Sequence, residues 1–427
     1  MISDRVLIAR YFHRFGFGPK PGEFQSAIKN GATATLSKIL KPESASKIPT
    51  PKFEILGASP KGGSIARAEW NLKMREQSNQ LTMWWLDQMA SVDDPLQERM
   101  TWFWHGHWAT SLTKVDYANA MYVQYQTLKR NALGNFQTQS REMVLDGALQ
   151  FWLDNNSNTV KAPNENLARE LMELFTLGVN RYTEDDIKQA AKALTGYSVN
   201  REAGTTEFTV KRHDTGLHTI LGTTRNFNAV SLSDHLVAQK NNGKFIAERL
   251  WYRFINDQTD PVDSKIEDAF NDRNILKAVT ALASHNSMRD EANSMVKPPL
   301  EWFISACRAL DVLPSQLGKR EVILNYMNKF AQKPFYPPNV GGWPAGEIWL
   351  TAANAQYRIE LAQLIVSKGD VSTIANSAMN SRGAKAAELL GVGQWSTRTK
   401  RALDSVQNDP KRLLVTALCA PEYLVSV

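Results

Sequence analysis

The sequence predicts a mainly α-helical protein, a multi-helix globular body of one large domain over residues 1–427 with a small β-hairpin insertion near residues 196–212. Three observations predict it. Apolar residues recur near the 3.6-residue period over most of the chain, as Leu81, Trp84, Trp85, Leu86 and Met89 do. Two segments, 163–178 and 183–196, carry helix start and stop signals. Alternating β-branched and aromatic residues gather in one short stretch only. The composition agrees, because 427 residues with 43% hydrophobic and 22% charged content supply a sizeable core and exclude a disordered or fibrous chain. At roughly 150 residues per domain the length permits two or three domains, and one helical body also accommodates it.

A short helical segment is expected first, at about residues 21–40. Residues 41–64 concentrate Pro, Ser, Lys and Gly without apolar periodicity, which predicts a linker or a lid-like loop. From 65 to 150 Gly and Pro are scarce, and helices should run almost throughout. Pro163 and Asn164 then open an amphipathic helix with Leu167, Leu171 and Leu174 as its stripe and Gly178 as its stop. Thr183, followed by Glu184, Asp185 and Asp186 and by the apolar Ile187, Ala190, Ala191 and Leu194, marks the clearest helix of the chain. Segments 196–199 and 206–210 alternate and predict the hairpin, expected as the only sheet. Helical patterns resume at 232–255, 265–283, 299–310 and 321–331. Pro334, Pro337, Pro338, Gly341, Gly342 and Pro344 forbid regular structure over 333–344, after which helices continue.

Fifty Lys and Arg against 43 Asp and Glu leave +7, mixed along the chain without like-charge blocks, so no nucleic-acid partner is expected. Cys307 and Cys419 stand far apart and offer neither a disulfide framework nor a cysteine zinc site. No stretch approaches the apolar length of a transmembrane segment. Asp4, Arg5 and Arg10 interrupt any export signal, and a cytoplasmic location is expected.

Chemistry could sit in three clusters. Residues 102–108, Trp-Phe-Trp-His-Gly-His-Trp, hold two of the seven histidines and three of the twelve tryptophans. On a regular helix His105 and His107 point about 200° apart; a kink at Gly106 would let them converge as metal ligands, or as a ligand and an acid/base. The alternative is a buried aromatic helix with hydrogen-bonded histidines. Glu170 and Glu173 share a helix flank beside the Leu stripe, where a carboxylate needs a metal, a histidine or a cation such as Arg169. His213 beside Asp214 is either a ligand with its orienting carboxylate or a surface turn. His13, His235 and His285 stand without companions and read as structural. Trp343, in the loop that starts at Asn339, either covers a ligand or plugs the core. Phosphate loops, dinucleotide glycine patterns, serine-hydrolase elbows and His-Glu-x-x-His are absent.

Five segments together resemble the bacterial domain of unknown function 1800 family. They are Phe15-Gly16-Phe17-Gly18; Phe103-Trp104-His105-Gly106-His107-Trp108, where the family typically has Phe-Trp-His-Asn-His-Phe; and Asn164-Glu165-Asn166 with Ala168-Arg169-Glu170-Leu171-Met172-Glu173-Leu174-Phe175-Thr176-Leu177-Gly178. The others are Tyr182-Thr183-Glu184 with Ala193-Leu194-Thr195-Gly196-Tyr197 and His213-Asp214, then Pro337-Pro338-Asn339-Val340-Gly341-Gly342-Trp343-Pro344. The resemblance implies that the three polar clusters belong to one domain. It also implies periplasmic or extracellular relatives, many of which look exported.

Two functions follow as expectations. One is a metal-dependent hydrolase with zinc, manganese or iron held among His105, His107, Glu170, Glu173 and His213, where Glu170 or Glu173 serves as general base and His107 as a further acid/base. A variant with two metals bridged by the glutamates would be a di-iron-like oxidative enzyme. The other is a non-catalytic protein that binds a small molecule, glycan or other polymer in a cleft of Trp102, Trp104, Trp108, Trp152 and Trp343. Asn164, Glu165, Arg169, Asp214 and Asn339 would orient the ligand.

Overall fold

Thr183 shows how local sequence starts an element here. Its hydroxyl accepts from the Asp186 N–H (3.1 Å) while the Asp186 carboxylate accepts from the Thr183 N–H (2.8 Å), a capping box that opens the helix Glu184–Ala193. The computed structural model describes residues 1–41, 48–257 and 263–426. Helices dominate throughout. The first, Asp4–Arg14, carries no strong signal in the sequence beyond its Ser3 cap, and it precedes the expected pair Glu23–Asn30 and Ala32–Ile39. The run expected over 65–150 is built from Ser64–Ser91, Leu96–His107, Leu112–Val115, Ala118–Asn131, Phe136–Val144 and Gly147–Trp152.

Two large buried clusters form the core. One joins Asp4–Arg14 to the segments between Leu96 and Met288; the other joins Ser64–Ser91 to Pro299–Ala309 and the C-terminal helices. The helix Leu96–His107 and its C-cap Trp108 serve both, sending Met100, Trp104 and Trp108 into the first and Trp102 into the second.

The helix opened by Pro163 and Asn164 is not regular. Asn166–Glu170 is α-helical, but Leu171–Thr176 widens into a π-helix in which the Leu177 N–H reaches the Met172 carbonyl (2.9 Å) and the Thr176 hydroxyl takes the Leu171 carbonyl (2.6 Å). Gly178, at φ +90°, ends it.

The hairpin pairs Tyr197–Asn200 with Thr205–Phe208, near its expected place. It is not the only sheet. His218–Ile220 pairs with Thr223–Arg225 across Leu221 and Gly222, both at positive φ, and Met295–Val296 pairs with Val425–Ser426. Strands of two or three residues are too short to show alternation, and Leu-Gly is not the usual turn signature.

Of the expected linker, residues 42–47 lie outside the described residues. Beyond them, the chain is tied down at Gly57, whose carbonyl accepts from Trp70 Nε1 (3.3 Å) and the Tyr117 hydroxyl (3.0 Å) and whose N–H donates to Glu202 (2.8 Å). Residues 333–344 form no helix or strand, as expected. Among the described residues, no helix is long and apolar enough to cross a membrane.

Candidate functional site

Gly106 does not kink its helix, which runs unbroken through His107, so the two histidines diverge as a regular helix requires. His105 is buried among Trp85, Trp102, Phe335 and Trp343, and its Nε2 accepts from the Phe335 N–H (3.1 Å). Burial alone pushes its pKa down to about 3. His107 is buried among Trp104, Trp108, Phe136 and Phe175, and its Nε2–H donates to the Phe175 carbonyl (3.0 Å). Its pKa also falls to about 3, through burial first and the positive charge of Arg249 second. Both rings are therefore neutral near pH 7. The Nδ1 of His107 is buried without a hydrogen-bond partner.

Gly342 lets the 333–344 loop approach the helix at Gly106. A Cβ on Gly342, at φ +78°, would fall 2.1 Å from the Gly106 carbonyl oxygen, so only glycine fits there. The loop then lays Trp343 on Trp102, with ring centroids 4.6 Å apart and planes at 31°, while Trp343 Nε1 donates to the Ala331 carbonyl (3.1 Å). Between Gly106, His107 and Trp343 on one side and Arg249, Tyr252 and Arg253 on the other lies a pocket of about 50 Å³. The three last residues come from Lys240–Phe254, where spacings of three and four put them on one flank.

The two arginines differ. Arg253 pairs with Glu301, whose carboxylate also holds Arg99 (2.8 Å). Arg249 has no ion pair among the described residues; burial lowers its pKa, against the raising influence of Tyr252 and with the lowering one of Arg253. The Tyr252 hydroxyl accepts from the Ala345 N–H (3.3 Å) and so ties this flank to the loop. None of residues 48–63 lines this pocket, so that part of the expected lid does not cover it.

A family model described as "Protein of unknown function (DUF1800)" matches residues 10–425. The chain belongs to the DUF1800 family. No curated protein and no solved structure matches it.

Of the candidate residues read from the sequence, this DUF1800 chain brings Trp102, His107 and Trp343 to one pocket and keeps His105 one layer behind Trp343. Trp102, Trp104 and Trp108 are buried, the latter two with their Nε1 groups bonded to the Ala132 carbonyl (2.9 Å) and Gln139 (3.2 Å). Trp104 and Trp108 form core rather than a cleft wall, because a continuous helix between two clusters leaves little of that segment at the surface, whereas Trp102 floors the pocket beneath Trp343. Trp152 lies elsewhere, under Lys114.

Neither glutamate lines this pocket. Glu173 accepts from the Tyr182 hydroxyl, and Glu170 is half-buried with its pKa raised by burial and by Glu173. Arg169 makes a two-pronged pair with Glu184 (2.9 and 2.8 Å) and approaches Glu165 at 3.4 Å. The Asn164 side chain accepts from the Asn166 N–H (2.9 Å), and that of Asn339 from the Gly341 N–H (2.8 Å), so both shape backbone turns. His213 Nδ1–H donates to the Thr195 carbonyl (3.0 Å), while Asp214 faces His218 at 3.3 Å. Among the described residues no three His, Cys, Asp or Glu side chains are grouped to hold a metal ion.

Arg249, Tyr252 and Arg253 were not singled out from the sequence. A signal existed: like charges four residues apart on one helix flank repel unless an anion lies near. A further cavity, of about 470 Å³, lies between the N-terminal helix and residues 391–396, and none of the candidate site residues lines it.

Proposed function

We propose that this DUF1800 chain is a binding protein for a small acid or the acidic terminus of a glycan. The oxyanion, a carboxylate, phosphate or sulfate, is taken by Arg249, and the body of the ligand rests on Trp343. The observation that carries this reading is Arg249, a cation lining a pocket without a carboxylate of its own. A desolvated guanidinium is costly until an anion pairs with it, and its planar fork matches an oxyanion. The size agrees, since about 50 Å³ admits one such group and leaves the rest of the ligand outside, against the exposed side of Trp343. Neutral His107 adds no competing charge.

The reading narrows the polymer-binding expectation from a row of tryptophans to Trp343. It is preferred over metal-dependent hydrolysis or di-iron chemistry because those need several donors to converge, whereas His105, Glu173 and His213 are each turned to other partners.

Calorimetric titration with phosphate, sulfate, acetate and glucuronate tests it. Wild type should bind at least one of them, and Arg249→Met should weaken that binding at least about tenfold, the scale of one charge-assisted hydrogen bond. Glucuronate should lose affinity in Trp343→Ala while the inorganic anions do not. Failure of every anion to bind, or unchanged binding by Arg249→Met, overturns the proposal.

A further inference from the structure

Behind the ligand pocket, and sharing Arg253 with it, lies a second cavity of about 20 Å³. Its charged walls are Arg14, Arg99, Arg253, Lys297 and Glu301, with Ser426 and His13, whose pKa burial pushes down, completing the polar lining. Four cations thus face one carboxylate, and that carboxylate is already shared by Arg99 and Arg253. Arg14 is spent on backbone carbonyls, including that of Ile255 (2.9 Å). Lys297 is different. It is 6% exposed, its Nζ has no hydrogen-bond partner among the described residues, and it lies over the face of Tyr423, 3.7 Å from the ring centroid. Glu301, whose negative charge acts on Lys297, is held by the two arginines. The start of Pro299–Ala309 adjoins the cavity through Pro298 and adds the positive end of a helix.

We propose that this cavity is a binding site for a monatomic anion, chloride, held by Lys297 Nζ within the arginine cluster. Size selects the class of ligand. A site needs about 10–15 Å³ to seat one water-sized sphere, so 20 Å³ holds a single halide and excludes phosphate or a carboxylate. Charge selects the sign, because an ammonium without an acceptor is among the most costly groups to bury and one anion offsets it. Burial and Arg358 both push the Lys297 pKa down while Glu301 raises it, which is the stress that a bound anion relieves. The competing occupant is a water beside a neutral amine, and it makes the opposite prediction about salt.

The test is thermal unfolding of the full chain at constant ionic strength, with chloride exchanged for gluconate, which is too large for the cavity. Raising chloride from 10 to 300 mM should lift Tm by about 2 °C if the site binds in the millimolar range. Lys297→Met should abolish the dependence, whereas Arg249→Met, which touches only the outer pocket, should keep it. A bromide-soaked crystal of the wild type should show an anomalous peak within hydrogen-bond distance of Lys297 Nζ, which decides the matter even if Lys297→Met fails to fold. Superimposable chloride and gluconate series, or bromide absent from Nζ, overturns the proposal. Either result leaves the Arg249 reading to its own titrations.

Discussion

Protonating His105 should unlock the loop that carries Trp343. The imidazole is neutral, with Nε2 as acceptor for the Phe335 N–H at 3.1 Å, and no charged group contributes to its depressed pKa of about 3. In the unfolded chain the same ring titrates near about 6.5. The folded value lies below the unfolded one, so the stability it contributes is complete above pH 6.5 and is lost as pH falls from there towards 3. The slope is about 1.4 kcal/mol per pH unit, so this residue alone should account for about 2 kcal/mol lost between pH 6.5 and 5. His107 and His13 act in the same direction, whereas Asp146, lifted to about 7 by burial, opposes them. A variant isolates the one contribution. His105→Gln keeps an acceptor for the Phe335 N–H and removes the titration. Urea unfolding followed by circular dichroism at pH 7 and pH 5 should show the wild type losing about 2 kcal/mol more than the variant. Equal losses in the two proteins refute the assignment of His105 as a buried neutral acceptor.

Glu301→Gln should destabilise by about 3–5 kcal/mol in urea, because Arg99 and Arg253 keep their burial and lose their shared carboxylate. Thr183→Ala removes one half of the capping box and should cost about 1 kcal/mol by the same measurement. Gly106→Ala should raise stability by about 0.5–1 kcal/mol, since its Cβ meets only Trp343 at 3.8 Å, yet narrow the pocket and weaken anion titrations. Gly342→Ala should do the opposite to the fold: displacement of the loop from Gly106 should change Trp343 fluorescence and cost about 1–3 kcal/mol.

Elements with local causes were legible in the sequence. The Thr183 cap, the hairpin and the proline-rich loop all follow from residues a few positions apart, and the structure places them where those residues say. The π-helix was not legible, because its wider turn depends on Thr176 taking the Leu171 carbonyl within an otherwise regular pattern. The site was legible in halves. His107 and Trp343 stood out by type and density, but their partners come from Lys240–Phe254, and no local pattern reveals which distant helix faces them. The diverging directions of His105 and His107 were available from helical geometry. What composition could not show is how fully the tryptophans around them would be buried.

The short pairing of Met295–Val296 with Val425–Ser426 also sets an order in time. Arg14 binds Ser426 through its side chain and carbonyl, so the first helix, the Lys297 cavity and the last residues close on one another. At ordinary elongation rates the ribosome needs on the order of ten seconds to travel from the first strand of that pair to the second. Through that interval the arginines and Lys297 stay hydrated, and the nascent chain holds its helices without their final seal. Without Val425–Ser426 the chain would keep nearly all of its apolar core and yet leave this cationic seam open, so the pairing closes over charge rather than over the core.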